Sequence, residues 1–204
     1  MTTDQDPTQD PAQGLLPGPL GRLLHPGRTP YGRLAVLLGS VVVLAVALTW
    51  TYLGMRSVMD VGGSCAEGGP YEIAQPCPDG AVLLSVGIPI LVVTAMLGSA
   101  IAFTVSAPNL LVPMWLFLFG SLGWNFLEYS FDDGIVWGFL VCGVMFELMA
   151  LPALPMMFLG KQIVGFVPQA VAANTPGQGT WYAAYAVLGA AGVSAGWWTF
   201  DSWT

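Results

Sequence analysis

The sequence predicts an all-α membrane protein: a bundle of about five transmembrane helices with a disulfide-closed extracytoplasmic loop. Three observations carry that expectation. Of the 204 residues, 55% are hydrophobic and only 8% are charged, whereas soluble domains carry about 25% charged residues. The mean hydropathy is +0.69. The apolar residues are also gathered into stretches of about 20, the length a helix needs to cross the hydrocarbon core of a bilayer. The formal net charge is −7, but the charges are so few that their placement matters more than their sum.

The apolar stretches lie at roughly 34–54, 81–103, 110–129, 135–159 and 181–200. The segments between them are too short for a separate soluble domain, so 34–204 is expected to form a single transmembrane domain. Residues 1–33 are rich in Pro, Gly, Gln, Thr and Asp. They carry too little apolar surface to offset the entropy of ordering and read as a disordered cytoplasmic tail. Leu15, Leu16, Leu20, Leu23 and Leu24 suggest a short interfacial helix, but Pro17, Pro19 and Pro26 interrupt the pattern. The first span begins too late and runs too long for a cleaved signal peptide, so it reads as an anchor. Arg22, Arg28 and Arg33 precede it and Arg56 follows it. The positive-inside rule then puts the N-terminus in the cytoplasm, and five spans put the C-terminus outside a plasma membrane.

The loop 56–80 falls on the outer face in this topology. It contains Gly63-Ser64-Cys65-Ala66, Gly68-Gly69-Pro70-Tyr71 and Pro76-Cys77-Pro78. Two cysteines in one loop on an oxidising face are expected to pair, here Cys65 with Cys77. The rival readings fit less well: a zinc site wants four ligands, and a redox pair is more naturally Cys-x-x-Cys. These three runs resemble a loop recurring in uncharacterised multi-pass membrane proteins of actinobacteria. The resemblance covers the loop alone; it implies a bacterial envelope location and carries no catalytic residue.

In the second span, Pro89 predicts a packing kink, and the turn Ser106-Ala107-Pro108-Asn109 brings the third span back beside it. The third span carries Ser121, Asn125 and Glu128. Asn125 and Glu128 are three apart and share a helix face, so they can reach a common partner. Glu128 lies near the outer end, where it reads as part of a wet interface beside the aromatic belt of Trp124 and Trp137. Glu147 falls near the middle of the fourth span, at a depth where a carboxylate is costly and often functional. Pro152 and Pro155 lack the N–H groups that would bond the carbonyls of Leu148 and Leu151, so loosened carbonyls are expected near Glu147. That combination suggests a proton or cation site, as in the broken helices of transporters. The competing reading is a protonated Glu147 bonded to a neighbouring helix, with Ser121 at matching depth as its partner.

Met145, Met149, Met156, Met157 and Cys142 share the fourth span. Soft-metal binding would need them to converge, and ordinary packing is the simpler reading. The segment 160–179 reads as an inner loop with a short interfacial stretch at 163–171. The fifth span is rich in Ala and Gly, and Gly189, Gly192 and Gly196 mark it for close helix contact, within the chain or with another subunit.

The only histidine is His25, in the tail. That excludes His-ligated haem within the bundle, a zincin helix and a Ser-His dyad. No nucleotide-binding fingerprint is present, and the cations are too sparse for a nucleic-acid surface. No cofactor and no catalysis are expected. Two functions follow: a structural or accessory envelope protein whose partners are lipid and other membrane subunits or itself, or a proton- or cation-conducting component using Glu147 with Asn125, Glu128 and Ser121.

Overall fold

A computed structural model of the chain describes residues 30–62, 65, 76–131, 134–159 and 178–204. Among them every regular element is a helix: α1 (Pro30–Asp60), α2 (Ala81–Thr104), α3 (Leu111–Tyr129), α4 (Trp137–Ala150), α5 (Ala153–Leu159) and α6 (Gln178–Asp201). The expected tail before residue 30, most of the 160–179 loop, the middle of the 56–80 loop and the Asp132-Asp133 pair lie outside the described residues.

The longest helix, α1, is the centre of the bundle. α2 and α6 pack along it, α3 leans on it, and α4 and α5 pack chiefly on α3. Leu37, Val41, Leu44 and Ala47 of α1 meet Leu91, Ala95, Ile101 and Ala102 of α2 and Tyr185 of α6 in the main core. Leu53, Leu83 and Phe200 close its far end. Contacts along the helices fix their directions. α2 runs antiparallel to α1, since a Cβ at Gly54 would lie 3.0 Å from Leu84 while one at Gly98 would lie 3.1 Å from Ser40. α6 runs parallel to α1, with Gly192 beside Val42 and Gly196 beside Thr49. α4 runs back along α3, with Gly143 against Leu127 and Gly120 facing Ala150. The ends of the described chain, at the start of α1 and the end of α6, therefore lie at opposite ends of the bundle.

The α1–α6 contact depends on missing side chains. A Cβ at Gly192 would sit 2.7 Å from both the Val42 carbonyl oxygen and Ala45 Cβ, and one at Gly196 would sit 2.8 Å from Thr49 Cβ. The small-residue pair therefore faces a helix of its own chain. Trp50 Nε1 donates to Thr199 Oγ1 at 2.9 Å on the same seam. Gly189 takes no part: nothing lies within 4 Å of a Cβ placed there. Its spacing of three and seven residues from Gly192 and Gly196 puts it on the same side of the helix, so the close approach is confined to the stretch from Gly192 on.

At the turn between α2 and α3, Ser99 Oγ accepts the Leu110 N–H at 3.0 Å and Asn109 Oδ1 accepts that of Val112 at 3.2 Å. Tyr185 donates to the Pro108 carbonyl at 2.9 Å, tying α6 to this turn. Ser106 adopts φ 54°, the left-handed region that a non-glycine residue rarely occupies.

Several element limits differ from those the hydropathy predicts. The first helix begins at Pro30, so Arg33 belongs to its opening turn and not to a tail; proline is favoured at that position because its missing N–H has no intrahelical partner anyway. The same helix continues to Asp60, which places Arg56 on a helix and not in the loop. The fourth apolar stretch divides into α4 and α5 at Leu151-Pro152, where proline cannot continue the backbone ladder. α2 runs unbroken through Pro89. The Cys65–Cys77 disulfide is present, with Cα atoms 4.9 Å apart.

Three helices among the described residues are long and apolar enough to cross a membrane: Tyr31–Asp60, Ala81–Thr104 and Trp137–Met157. α3 and α6 fall outside that set because Trp115, Trp124, Asn125 and Glu128 dilute one and glycine, tryptophan and tyrosine the other. Val93, Met96 and Phe103 of α2 and Val141, Met145 and Leu148 of α4 are exposed, so the outward faces of two of these helices are themselves apolar.

Overpacking the α1–α6 seam should cost about 1 to 3 kcal/mol. Thermal unfolding of Gly192→Leu is expected to show a clear loss of stability, whereas Gly189→Leu should melt close to the parent chain.

Candidate functional site

The polar side chains that sequence reasoning singled out do not form one cluster. Glu128 and Asn125 stand at the α1 seam, while Glu147 stands on the far side of α3.

Glu128 is bound by Arg56 in a two-pronged ion pair, with Nη1 2.6 Å from Oε2 and Nη2 2.9 Å from Oε1. The same Nη1 donates to the Tyr52 hydroxyl at 3.3 Å. The guanidinium lies 5.5 Å from the centre of the Tyr129 ring, within reach of a cation–π interaction. The Tyr129 hydroxyl in turn donates to the Asp60 carboxylate. One turn inward, the fully buried Asn125 donates from Nδ2 to the Tyr52 carbonyl at 3.3 Å, and its Oδ1 has no protein partner. Tyr52 and Arg56 are four apart on α1, and Asn125 and Glu128 three apart on α3, so two matched helix faces meet. Arg56 was not foreseen as the partner of Glu128. The available clue was positional: Arg56 closes the first apolar stretch and Glu128 closes the third, both at the predicted outer end.

Glu147 is half-buried and packs directly onto α3. A Cβ at Gly123 would lie 2.8 Å from its Oε1 and 2.9 Å from its Cγ. Among the described residues its carboxyl group makes no hydrogen bond or ion pair. The expected Ser121 partner is engaged elsewhere, since Ser121 Oγ donates to the Leu118 carbonyl at 3.0 Å; a helical serine can satisfy itself on the preceding turn. Of the carbonyls expected to be loosened, that of Leu151 accepts the Leu154 N–H at 3.2 Å. Beside the break, the Met149 carbonyl accepts Trp115 Nε1 at 2.9 Å. The ring series Trp115, Phe119, Phe146, Phe126 and Phe139, with neighbouring centroids 4.5 to 5.9 Å apart, fills the rest of the α3–α4 seam.

The methionines do not converge. Met145 and Met149 are exposed, whereas Met156 and Met157 are buried with Val112 and Ala153 between α3 and α5. Cys142 is a free, exposed thiol. Among the described residues no group of three or more His, Cys, Asp and Glu side chains is placed to hold a metal ion.

Among the described residues, fold and site together define an all-helical bundle with three membrane-competent helices, one cross-helix ion pair and a disulfide. No protein-family model, curated protein or solved structure matches the chain.

The Arg56–Glu128 pair is partly exposed, with side chains 33% and 39% accessible. Solvent screening limits such pairs to about 0.2 to 1 kcal/mol. A double-mutant cycle with Arg56→Gln and Glu128→Gln should give a coupling in that range that shrinks as salt is raised. A coupling unmoved by salt would contradict an ion pair as its source.

Proposed function

We propose that the chain is a five-span protein of the plasma membrane, with a cytoplasmic N-terminus, that serves as a structural or accessory subunit of the cell envelope. The observation that carries this reading is where the polar side chains are used. Arg56, Glu128, Trp50, Thr199 and Tyr185 are spent on ties within the bundle, and Asn125 Nδ2 joins α3 to α1, which leaves Asn125 Oδ1 as the one buried atom of these six side chains without a hydrogen-bond partner among the described residues. The apolar outward faces of α2 and α4 suit lipid as solvent. α3 and α6 complete the bundle as less apolar spans packed against α1. Arg22, Arg28 and Arg33 before the first span supply the positive-inside bias, and the disulfide suits an oxidising outer face. The loop's resemblance to actinobacterial membrane proteins agrees with an envelope location.

A proton- or cation-conducting role is the second reading, and one observation favours it: the half-buried Glu147 carboxyl group has no protein partner among the described residues. In the accessory reading, that group and the exposed face of α4 meet a donor on another subunit, as polar side chains do between membrane helices.

Flux through liposomes separates the two. The accessory reading predicts that proton and cation flux with the reconstituted protein equals that of empty liposomes, and that Glu147→Gln changes nothing. Flux above that background that disappears in Glu147→Gln would establish the conducting role instead.

A further inference from the structure

We propose that the opening turn of α1 is a binding site for a phosphate group, held by the buried guanidinium of Arg33. Arg33 is only 8% exposed, and its Nε and Nη2 have no hydrogen-bond partner among the described residues. A guanidinium is a permanent cation with five donors in a rigid fork. Burying it with those donors unused is costly unless an acceptor arrives.

That acceptor does not come from the described acids. Asp60, Asp79, Glu128 and Asp201 all lie at the opposite end of the bundle, and Glu147 packs on Gly123, level with the far half of α1. The anion must therefore come from outside the described chain. Its chemistry follows from the surroundings. Helical side chains tilt toward the N-terminus of their helix, which turns Arg33 toward the opening turn. Helix N-termini favour anions, and a planar fork matches the paired oxygens of a phosphate. Gly32, immediately before Arg33, leaves open space, with nothing within 4 Å of a Cβ placed there. Trp181 and Tyr182, near the start of α6, pack against the main core. Such aromatic residues are enriched at the headgroup level of a bilayer.

Two sources share this chemistry: the phosphate of an anionic lipid headgroup, and free phosphate. The lipid source rests on the membrane reading above, whereas the free-anion source does not. The test uses the full-length protein, delipidated in neutral detergent and offered phosphatidylglycerol, phosphatidylcholine or inorganic phosphate. Bound adducts are counted by native mass spectrometry, and Tm is followed in parallel. Wild-type protein should retain phosphatidylglycerol in preference to phosphatidylcholine, Arg33→Gln should bind it about tenfold or more weakly, and Arg33→Lys should fall between. A phosphate-dependent rise in Tm without lipid preference would assign the site to the free anion.

Wild-type protein that neither prefers phosphatidylglycerol nor responds to phosphate overturns the site, as does a folded Arg33→Gln that binds like wild type. The wild-type comparisons decide the matter even if the variant fails to fold. A carbonate wash that strips the chain from membranes would remove the membrane reading alone, leaving the phosphate response to judge the site.

Discussion

The close approach of α1 and α6 is the constraint on which the rest of the bundle depends. Gly192 and Gly196 let the backbone of α6 come against Val42, Ala45 and Thr49, distances that no larger side chain would permit. Where the surrounding solvent is as apolar as the helices, burying apolar surface gives little net drive, and close packing with interhelical hydrogen bonds must hold helices together. The Trp50–Thr199 bond lies on that seam, and Tyr185 carries the same helix to the α2–α3 turn. α1 is thereby gripped by α6 on one side and by α2 on another. It forms the fixed surface against which α3 is set.

α3 meets that surface through Met114, Leu111 and Leu118 at the main core and through polar chemistry nearer its C-terminal end. Asn125 and Glu128 find Tyr52 and Arg56, and the ion pair joins residues 72 positions apart in sequence. α4 then folds back on α3 through two notches, Gly123 receiving Glu147 and Gly143 receiving Leu127. The acid that sequence makes most conspicuous is thus seated by shape, on a glycine, and its carboxyl group has no partner among the described residues. Glu128, the less conspicuous acid, is the one with a defined electrostatic role.

Much of this was legible in the sequence because it depends on local composition. The apolar stretches correspond to helices since a long run of apolar residues has few other ways to satisfy its backbone. The pairing of Cys65 with Cys77 follows from two cysteines in one short loop, and the small-residue spacing of Gly192 and Gly196 advertises a close contact. What could not be read is which groups meet across the bundle. Arg56 pairs with Glu128 because two helices run parallel in register, and no local pattern reports that register. Ser121 was matched to Glu147 by depth, yet it bonds to its own helix, a choice made by one rotamer. Arg33 falls in the tail when the helix is started at the first apolar stretch, from residue 34, whereas the helix starts at Pro30, and proline at the first position of a helix is a start signal.

The central claim is that the glycine face of α6 packs on α1 of the same chain and not on a neighbouring copy. Cysteines introduced as Thr49→Cys and Gly196→Cys, with Cys142→Ser to remove the free thiol, test it most directly. The two Cβ positions lie 2.8 Å apart, so a shift of about 1 Å brings them to the usual disulfide spacing of ~3.8 Å. Mild oxidation followed by non-reducing electrophoresis and peptide mass spectrometry should give a crosslink within single chains and no dimer. A crosslink found only between two chains, or none at all in folded protein, would contradict the account.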